Sequence, residues 1–392
     1  MNICLVNAFF HPYIGGTEKH MYEMGRRVAK HENVIVYTSR LEGTKARENV
    51  EGMEVYRTEV KQYKMPLIYP PPLVVASKVK EEIPELDEDI GIDIFHLEGR
   101  WYPSFSFVAK YAKQKKKLFM LTLHNARPVG ISPMVTFLGT IFETAYGKKI
   151  IKAADKIVAV CNFVKEDIAK YGVDKEKIEV LYNGVDTGVF KPSEKTFKKE
   201  YSDRFDFLTV FLGRLIEQKG LVYLVDAMAE VVKEHPRTGL LIVGKGKERA
   251  KLEVRARKLG VDKNIVFPGF IPEEQLPNLY SSADIFVLPS LWEVLPIALL
   301  EALACGAPLL VSDAGGNPEV IEEGENGFTF KRRDTRGLAE KMRMMIEDEK
   351  MRRRMSKGSR DIAIKKFDWD LIAEKTVEHY RKTHENFSRT HR

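Results

Sequence analysis

Two glutamates, Glu293 and Glu301, stand eight residues apart around an apolar block within Pro289–Val320. A strand-like run, Ala283–Leu288, precedes them, and Pro289-Ser290 breaks it. Pro296 suits the first turn of a following helix, because its missing N–H would have no partner there anyway. Glu293 then lies in the loop before that helix and Glu301 within it. Both carboxylates can address one ligand over a helix N-terminus, where unpaired N–H groups and the macrodipole favour phosphate. A second constellation follows the strand-like run Phe207–Leu212, in Gly213-Arg214-Leu215-Ile216-Glu217-Gln218-Lys219-Gly220. A glycine and two cations between a strand and a helix make a diphosphate site: Arg214 and Lys219 can neutralise a pyrophosphate and stabilise it as a leaving group. Gly15-Gly16, before the chain's first helix, lets backbone approach a phosphate or sugar with no Cβ in the way. His124-Asn125 ends the strand Leu118–Leu123, and ligands gather at the carboxyl ends of strands in open α/β sheets.

The elements that carry these residues alternate strand and helix. Ile3–Asn7, Val34–Thr38, Met53–Arg57, Asp93–Leu97, Leu118–Leu123, Lys156–Val160 and Ile178–Tyr182 read as strands of a first domain. Phe207–Leu212, Gly239–Val243, Ala283–Leu288 and Ala307–Ser312 read as strands of a second. Short apolar runs alternating with helices predict parallel α/β sheets. Gly43–Glu51 reads as charged loop, Tyr69-Pro70-Pro71-Pro72 as a stiff surface kink, and Lys191–Arg204 as a charged linker. Helical spacing over Pro133–Ala153, followed by Lys148, Lys149 and Lys152, fits either a core face or an amphipathic membrane contact. Gly244-Lys245-Gly246 lacks the third glycine of a dinucleotide fingerprint, since Arg249 stands there.

At 392 residues the chain exceeds one ordinary core, so two domains are expected. A hydrophobic content of 44% with 30% charged residues is globular. The net charge of +7 permits anionic partners, but no basic block is interleaved with aromatics in a nucleic-acid-binding motif. Cys4, Cys161 and Cys305 sit far apart in apolar runs and read as buried thiols, not a disulfide set. The first ten residues read as a strand and not a signal peptide. No apolar run reaches the ~18–20 residues that span a bilayer.

Glu293-x7-Glu301, framed by Pro289-Ser290, Cys305-Gly306-Ala307-Pro308 and Gly315-Gly316-x-x-Glu319, resembles glycosyltransferase family 4. Asn183-Gly184-Val185-Asp186, with Phe190 and Pro192, is similar to the family's interdomain signature. The resemblance covers nearly the whole chain. It implies the GT-B fold: two Rossmann-like domains facing a central cleft, with a C-terminal helix crossing back to the first. The expected boundaries are 1–190 plus about 370–392 for the acceptor domain, and 191–369 for the donor domain. The chain departs from the family where relatives commonly carry Gly-Phe-Gly after the first glutamate. Val294-Leu295-Pro296 stands there, and Pro296 cannot donate a backbone hydrogen bond.

The function implied is retaining transfer of a sugar from a nucleotide-diphospho-sugar to a glycan, lipid or small-molecule acceptor. GDP-mannose, UDP-glucose and UDP-N-acetylglucosamine are all open as donors. The resemblance assigns His124, Glu293, Arg214 and Lys219 to catalysis. It assigns Gly15, Gly16, Arg214, Lys219, Ile271, Glu293, Leu295 and Glu301 to donor binding, with Glu301 on the ribose, Glu293 on the transferred sugar and backbone near Ile271 on the base. No cofactor and no metal is expected, since no carboxylate or histidine cluster stands out. Nucleic acid is not an expected partner. A cytoplasmic protein is expected, with peripheral contact to an anionic inner membrane surface as an open alternative. A family-related phosphorylase, a GT-B epimerase and a non-catalytic nucleotide-sugar-binding subunit are the rival functions.

Overall fold

The computed structural model describes residues 1–13, 15–63, 73–126, 137 and 140–390. It divides into two compact units, Met1–Asn183 with Trp369–Arg392, and Gly184–Asp368. The Tyr69–Pro72 kink and most of the first half of the Pro133–Ala153 helix lie outside the described residues.

The first unit is built on strands β1 (Asn2–Val6), β2 (Asn33–Ser39), β3 (Arg47–Val50), β4 (Met53–Thr58), β5 (Val60–Tyr63), β6 (Leu73–Ala76), β7 (Ile94–Glu98), β8 (Leu118–Leu123), β9 (Lys156–Ala159) and β10 (Ile178–Val180). Its main sheet has the order β10-β9-β8-β7-β1-β2-β4-β3, and β5 and β6 form a separate hairpin-like pair. Every pairing in the main sheet is parallel except β3 with β4. Burial on both faces explains why β1 and β8 are mostly apolar, whereas β7 also buries His96 and Glu98.

Residues 47–50 are therefore strand and not loop. Arg47 lies opposite Tyr56, with its guanidinium over the ring and an ion pair to Glu54. This is a charged edge strand whose hydrophilic composition hid it, and such charge is what discourages further strand pairing.

The Gly16–Val28 helix packs its Met21, Met24 and Val28 against Ile3, Leu5 and Val34 in one apolar cluster. The C-terminal helix, Trp369–Thr390, places Trp369, Ile372, Val377 and Tyr380 in that same cluster. Arg27 ties the two helices together through Asp370. The unit is thus discontinuous in sequence.

The second unit carries β11 (Phe207–Leu212), β12 (Thr238–Val243), β13 (Ile265–Gly269), β14 (Ile285–Leu288), β15 (Leu309–Ser312) and β16 (Gly327–Phe330) in a parallel sheet of order β13-β12-β11-β14-β15-β16. The chain adds β12 and β13 on one side of β11, then returns to add β14 on the other. This is the doubly wound order, with its reversal between β11 and β14.

The break expected at 190 falls at 183/184, and 191–204 is not a free linker. The Val185 N–H donates to Phe367 O at 2.8 Å, and Arg360 reaches the carbonyls of Phe190 and Thr187. Ser193 N–H donates to Ser281 Oγ and Phe197 N–H to Ser282 Oγ. Charged composition marked a surface segment here, and hydroxyl groups on the Leu276–Ser281 helix and just after it hold that segment down.

Gly220 shows how tightly the β11 loop is seated. Its φ of +62° is left-handed, and a Cβ there would stand 2.1 Å from Pro289 O. Gly220→Ala should lower the thermal midpoint by several degrees, from about 1–2 kcal/mol of backbone strain plus the displaced carbonyl. An unchanged melting curve would show that the two loops can part freely.

Candidate functional site

In the second unit, the chain leaves β11 through Gly213 and the exposed Arg214, and reaches the Leu221–Glu234 helix through Lys219-Gly220. Backbone bonds fix this path: Gly213 N–H to Val243 O and Leu215 N–H to Lys245 O. Gly244 and Gly246 permit it, because a Cβ on either would strike the carbonyl of Gly213 or Leu215. The close approach of two loops, not a ligand, accounts for these two glycines.

The adjacent strand β14 runs into Pro289-Ser290, both buried or nearly so, and then Glu293. Lys219 Nζ donates to Glu293 Oε1, with the two side chains only 11% and 9% exposed. Ser290 Oγ stands 3.4 Å from the same carboxylate oxygen. Leu291 N–H donates to Gln218 O at 2.8 Å, and Gln218 Nε2 donates to Trp292 O at 2.9 Å. The two loops that end β11 and β14 are therefore laced together at the reversal point of the sheet. A buried ion pair contributes little net stability, so its place at a ligand-gathering position carries more weight than its energy.

Glu301 lies in the Ile297–Ala304 helix, which begins one residue later than the sequence suggested: Pro296 is extended, at the cap position. Tyr280 OH donates to Glu301 Oε2 at 2.8 Å, and both side chains are buried. That burial, with the carboxylate beside it, raises the Tyr280 phenol well above its ordinary range. Leu295 is buried, so its side chain belongs to the core and only its backbone is offered to a ligand. Gly316 N–H donates to Val294 O at 2.8 Å, which joins the Gly315-Gly316 turn to this loop. Ile271 is half-buried after β13, beside the exposed Phe270, whose ring has Lys245 Nζ at 5.4 Å. Glu293, Glu301, Arg214, Lys219, Leu295 and Ile271 thus all belong to this unit.

Gly15, Gly16 and His124 belong to the other. Gly15 caps the Gly16–Val28 helix, and a Cβ on it would come within 2.2 Å of Glu18 Oε2. Open space surrounds Gly16. A side chain at Gly15 would have to displace the carboxyl of the buried Glu18, which burial pushes upward in pKa.

His124 follows β8, and its Nε2 lies 2.7 Å from Glu98 Oε2 at the end of β7. His20, one turn into the Gly16–Val28 helix, packs its ring edge-on at 4.6 Å and places Nδ1 3.0 Å from Asn183 Oδ1. Candidate ligand atoms of His20, Glu98 and His124 all fall within 4.8 Å of one another. A histidine–carboxylate cluster thus exists where the sequence suggested none. Behind it, His96 contacts Thr122 Oγ1 at 2.7 Å and the Tyr380 hydroxyl. Nearby, Trp101 stacks on Phe142 at 4.7 Å, and Tyr102 sets its ring against Phe9 at 5.6 Å. The Arg100 guanidinium, paired with buried Glu143, also donates to Asn125 O at 3.0 Å and so holds the segment after β8.

Glu98 and His20 were missed from sequence. The available signal for Glu98 was an acidic residue closing an otherwise apolar strand, next to the strand that ends at His124.

The fold and these loops define a GT-B glycosyltransferase, a two-unit enzyme that uses a nucleotide-sugar donor. The chain belongs to the family 4 glycosyltransferases: the family "Glycosyltransferase Family 4" matches residues 14–189 and "Glycosyl transferases group 1" matches residues 192–362. It is similar to an uncharacterized glycosyltransferase of Methanocaldococcus jannaschii, 27% identical, with 85% of this chain and 86% of that protein covered. It is also similar to the GDP-mannose-dependent alpha-(1-6)-phosphatidylinositol monomannoside mannosyltransferase of Mycolicibacterium smegmatis, 27% identical over 93% of this chain and 94% of that one. Among solved structures, sucrose-phosphate synthase from Thermosynechococcus elongatus superposes with a TM-score of 0.80 at 21% identity, over 97% of this chain and 98% of that one. No helix among the described residues is long and apolar enough to cross a membrane.

Burial depresses the imidazoles of His20 and His96 to about 4. In the unfolded chain they titrate near their ordinary value of about 6.5. Between those values the unfolded state binds more protons, so stability is intact above pH 6.5 and falls as the pH drops toward 4. A series of melting curves should show this decline, and His96→Gln should flatten it. A midpoint constant from pH 6.5 to 4.5 would contradict the buried neutral assignment.

Proposed function

We propose that this chain is a retaining, metal-independent glycosyltransferase that moves a sugar from a nucleotide-diphospho-sugar to a glycan, lipid or small-molecule acceptor. The observation that carries the reading is the buried Lys219–Glu293 pair at the reversal point of the second unit's sheet. An ammonium and a carboxylate brought together there match the two halves of a donor, a diphosphate that needs cations and a sugar that needs acceptors. Arg214 and Lys219 bind the diphosphate and stabilise it as it leaves. Glu301 accepts from the ribose hydroxyls, with the Tyr280 hydroxyl fixing one of its oxygens. Glu293 accepts from the transferred sugar, and His124 with Gly15 and Gly16 serves the sugar chemistry from the first unit. Backbone at Leu295 and near Ile271 completes the donor contacts. GDP-mannose is the first donor to test, because the mycobacterial relative depends on it. Peripheral contact with anionic lipid is a second reading for the acceptor side, favoured by the exposed Phe137 (64%) and Ile141 (51%).

The two glutamates should fail differently. A hydrogen bond to a charged group is worth roughly 1.5–3 kcal/mol, so Glu301→Ala should weaken GDP or UDP binding about 10- to 150-fold. Glu293→Ala removes the counter-charge from Lys219, so it should leave nucleoside diphosphate binding intact or tighter. Its cost should fall on turnover, where the sugar is oriented as charge develops. Calorimetric titration of GDP and UDP into both variants, beside steady-state rates, separates the roles. Equal loss of nucleoside diphosphate binding in two folded variants would show them wrongly divided.

Turnover should also survive excess chelator. Activity that collapses with EDTA and returns with magnesium or manganese would overturn the assignment of the diphosphate to Arg214 and Lys219. Product analysis separates the rivals: a phosphorylase releases sugar 1-phosphate only with inorganic phosphate, an epimerase leaves the nucleotide attached, and a binding subunit changes nothing.

A further inference from the structure

We propose that Glu98 is a positioning residue for His124: its carboxylate holds the imidazole in the tautomer that carries the proton on Nε2 and presents the Nδ1 lone pair to the sugar substrates. The proposal rests on the reading of His124 as a residue of the transfer reaction.

Three observations carry it. First, the geometry is built into the sheet. Glu98 on β7 stands in register with Thr122 on β8, so His124, two residues further along, follows on the same face. Glu98 Oε2 meets His124 Nε2 at 2.7 Å. Two adjacent parallel strands therefore set the distance between carboxylate and ring, with no flexible loop on the carboxylate's side.

Second, the carboxylate is spent on this one contact. The Glu98 side chain has 0% exposure, and its Oε1 has no hydrogen-bond partner among the described residues. His96 Nε2 stands 3.7 Å from Oε1, beyond hydrogen-bond distance, and is already bonded to Thr122 Oγ1. A buried carboxylate with an empty oxygen costs stability, and an apolar side chain would complete β7 as Ile94, Phe95 and Leu97 do. Packing gives no reason for an acid here, whereas orienting a histidine does.

Third, the ring is confined on its other side. His20 packs edge-on at 4.6 Å and is itself anchored by Asn183 Oδ1 and by the Trp369 ring at 5.3 Å. Burial keeps the His124 imidazole neutral, depressing it to about 3, so its two nitrogens are one donor and one acceptor. With Nε2–H committed to Glu98, Nδ1 accepts from a sugar hydroxyl. The anionic carboxylate behind the ring adds negative potential as positive charge develops at the anomeric carbon.

The test uses the full chain, labelled with ¹⁵N-histidine. In the wild type, His124 should show a protonated Nε2 and a bare Nδ1, assigned by the loss of those signals in His124→Gln. Glu98→Leu should mix or reverse the tautomers, while Glu98→Gln, which keeps an acceptor oxygen without charge, should preserve the tautomer. Steady-state release of nucleoside diphosphate from GDP-mannose or UDP-glucose should fall about 10- to 150-fold in Glu98→Leu, with donor KM nearly unchanged. The double variant Glu98→Leu/His124→Ala should be no slower than His124→Ala, because a residue that acts through another adds nothing once that other is gone. An unchanged His124 tautomer in Glu98→Leu would overturn the proposal, and so would fully additive losses. Zinc held at one equivalent by His20, Glu98 and His124 after dialysis would overturn it as well, since the cluster would then be a metal site. Titration of GDP and UDP into the wild type judges the donor reading separately: if neither binds, that reading fails, while the tautomer still decides the role of Glu98.

Discussion

A charged group that closes an apolar parallel strand cannot be left alone, and the chemistry-bearing parts of this protein follow from that constraint. Parallel strands are covered on both faces, so their ends bring side chains out of a dry core. An ion there must find a partner or be neutralised. Lys219 finds Glu293, His124 finds Glu98, and Arg100 finds Glu143. Each pair joins residues separated by 26 to 74 positions in sequence. The pairs therefore stitch neighbouring loops together before any ligand arrives. Pre-formed loops lower the ordering cost that a substrate would otherwise meet.

Much of this was legible from residue order. Runs such as Phe207–Leu212 and Leu118–Leu123 are strands because each is a short six-residue run, apolar but for one threonine, between turn signals. Glu293, Glu301, Arg214 and Lys219 stood out because charged residues interrupt apolar, glycine-punctuated stretches. What escaped was set by tertiary pairing. The edge strand at 47–50 has three polar residues before Val50, too few apolar positions to show a period; its pairing with β4 reveals it. The segment 191–204 looks like a linker until the hydroxyls of Ser281 and Ser282 are placed beneath it. The glycines at 244 and 246 do not complete a dinucleotide fingerprint, and the carbonyls of Gly213 and Leu215 explain their small size. Composition reports which face water wets; it does not report which loop lies against which.

Glycine at position 15 makes the same point within a motif that was read for a different reason. Adjacent glycines before a helix suggest a ligand approaching the backbone. In the structure, Gly16 faces open space while Gly15 makes room for Glu18. One glycine of the pair is thus open to a ligand contact, and the other has an internal cause. Substitutions at the two positions report different things, folding of the loop at Gly15 and access to the backbone at Gly16.

The two sheets finally explain why Glu98 and Glu293 have related positions despite sharing no motif. In each unit the chain lays parallel strands outward on one side of its first strand, then returns to lay the next on the other side. In the first unit the returning strand is β7, beside β1; in the second it is β14, beside β11. The reversal leaves a gap at the carboxyl end of the first strand that no crossover helix fills, which is where α/β sheets hold ligands. Glu98 is the last residue of β7, and Glu293 lies in the loop after β14. Each takes its basic or imidazole partner from a neighbouring element: Lys219 from the loop after β11, His124 from the end of β8. Open α/β sheets gather ligands at such a switch point, and topology puts both carboxylates there, whatever sequence surrounds them. The strand order therefore locates Glu98 where the residue spacing of a motif could not.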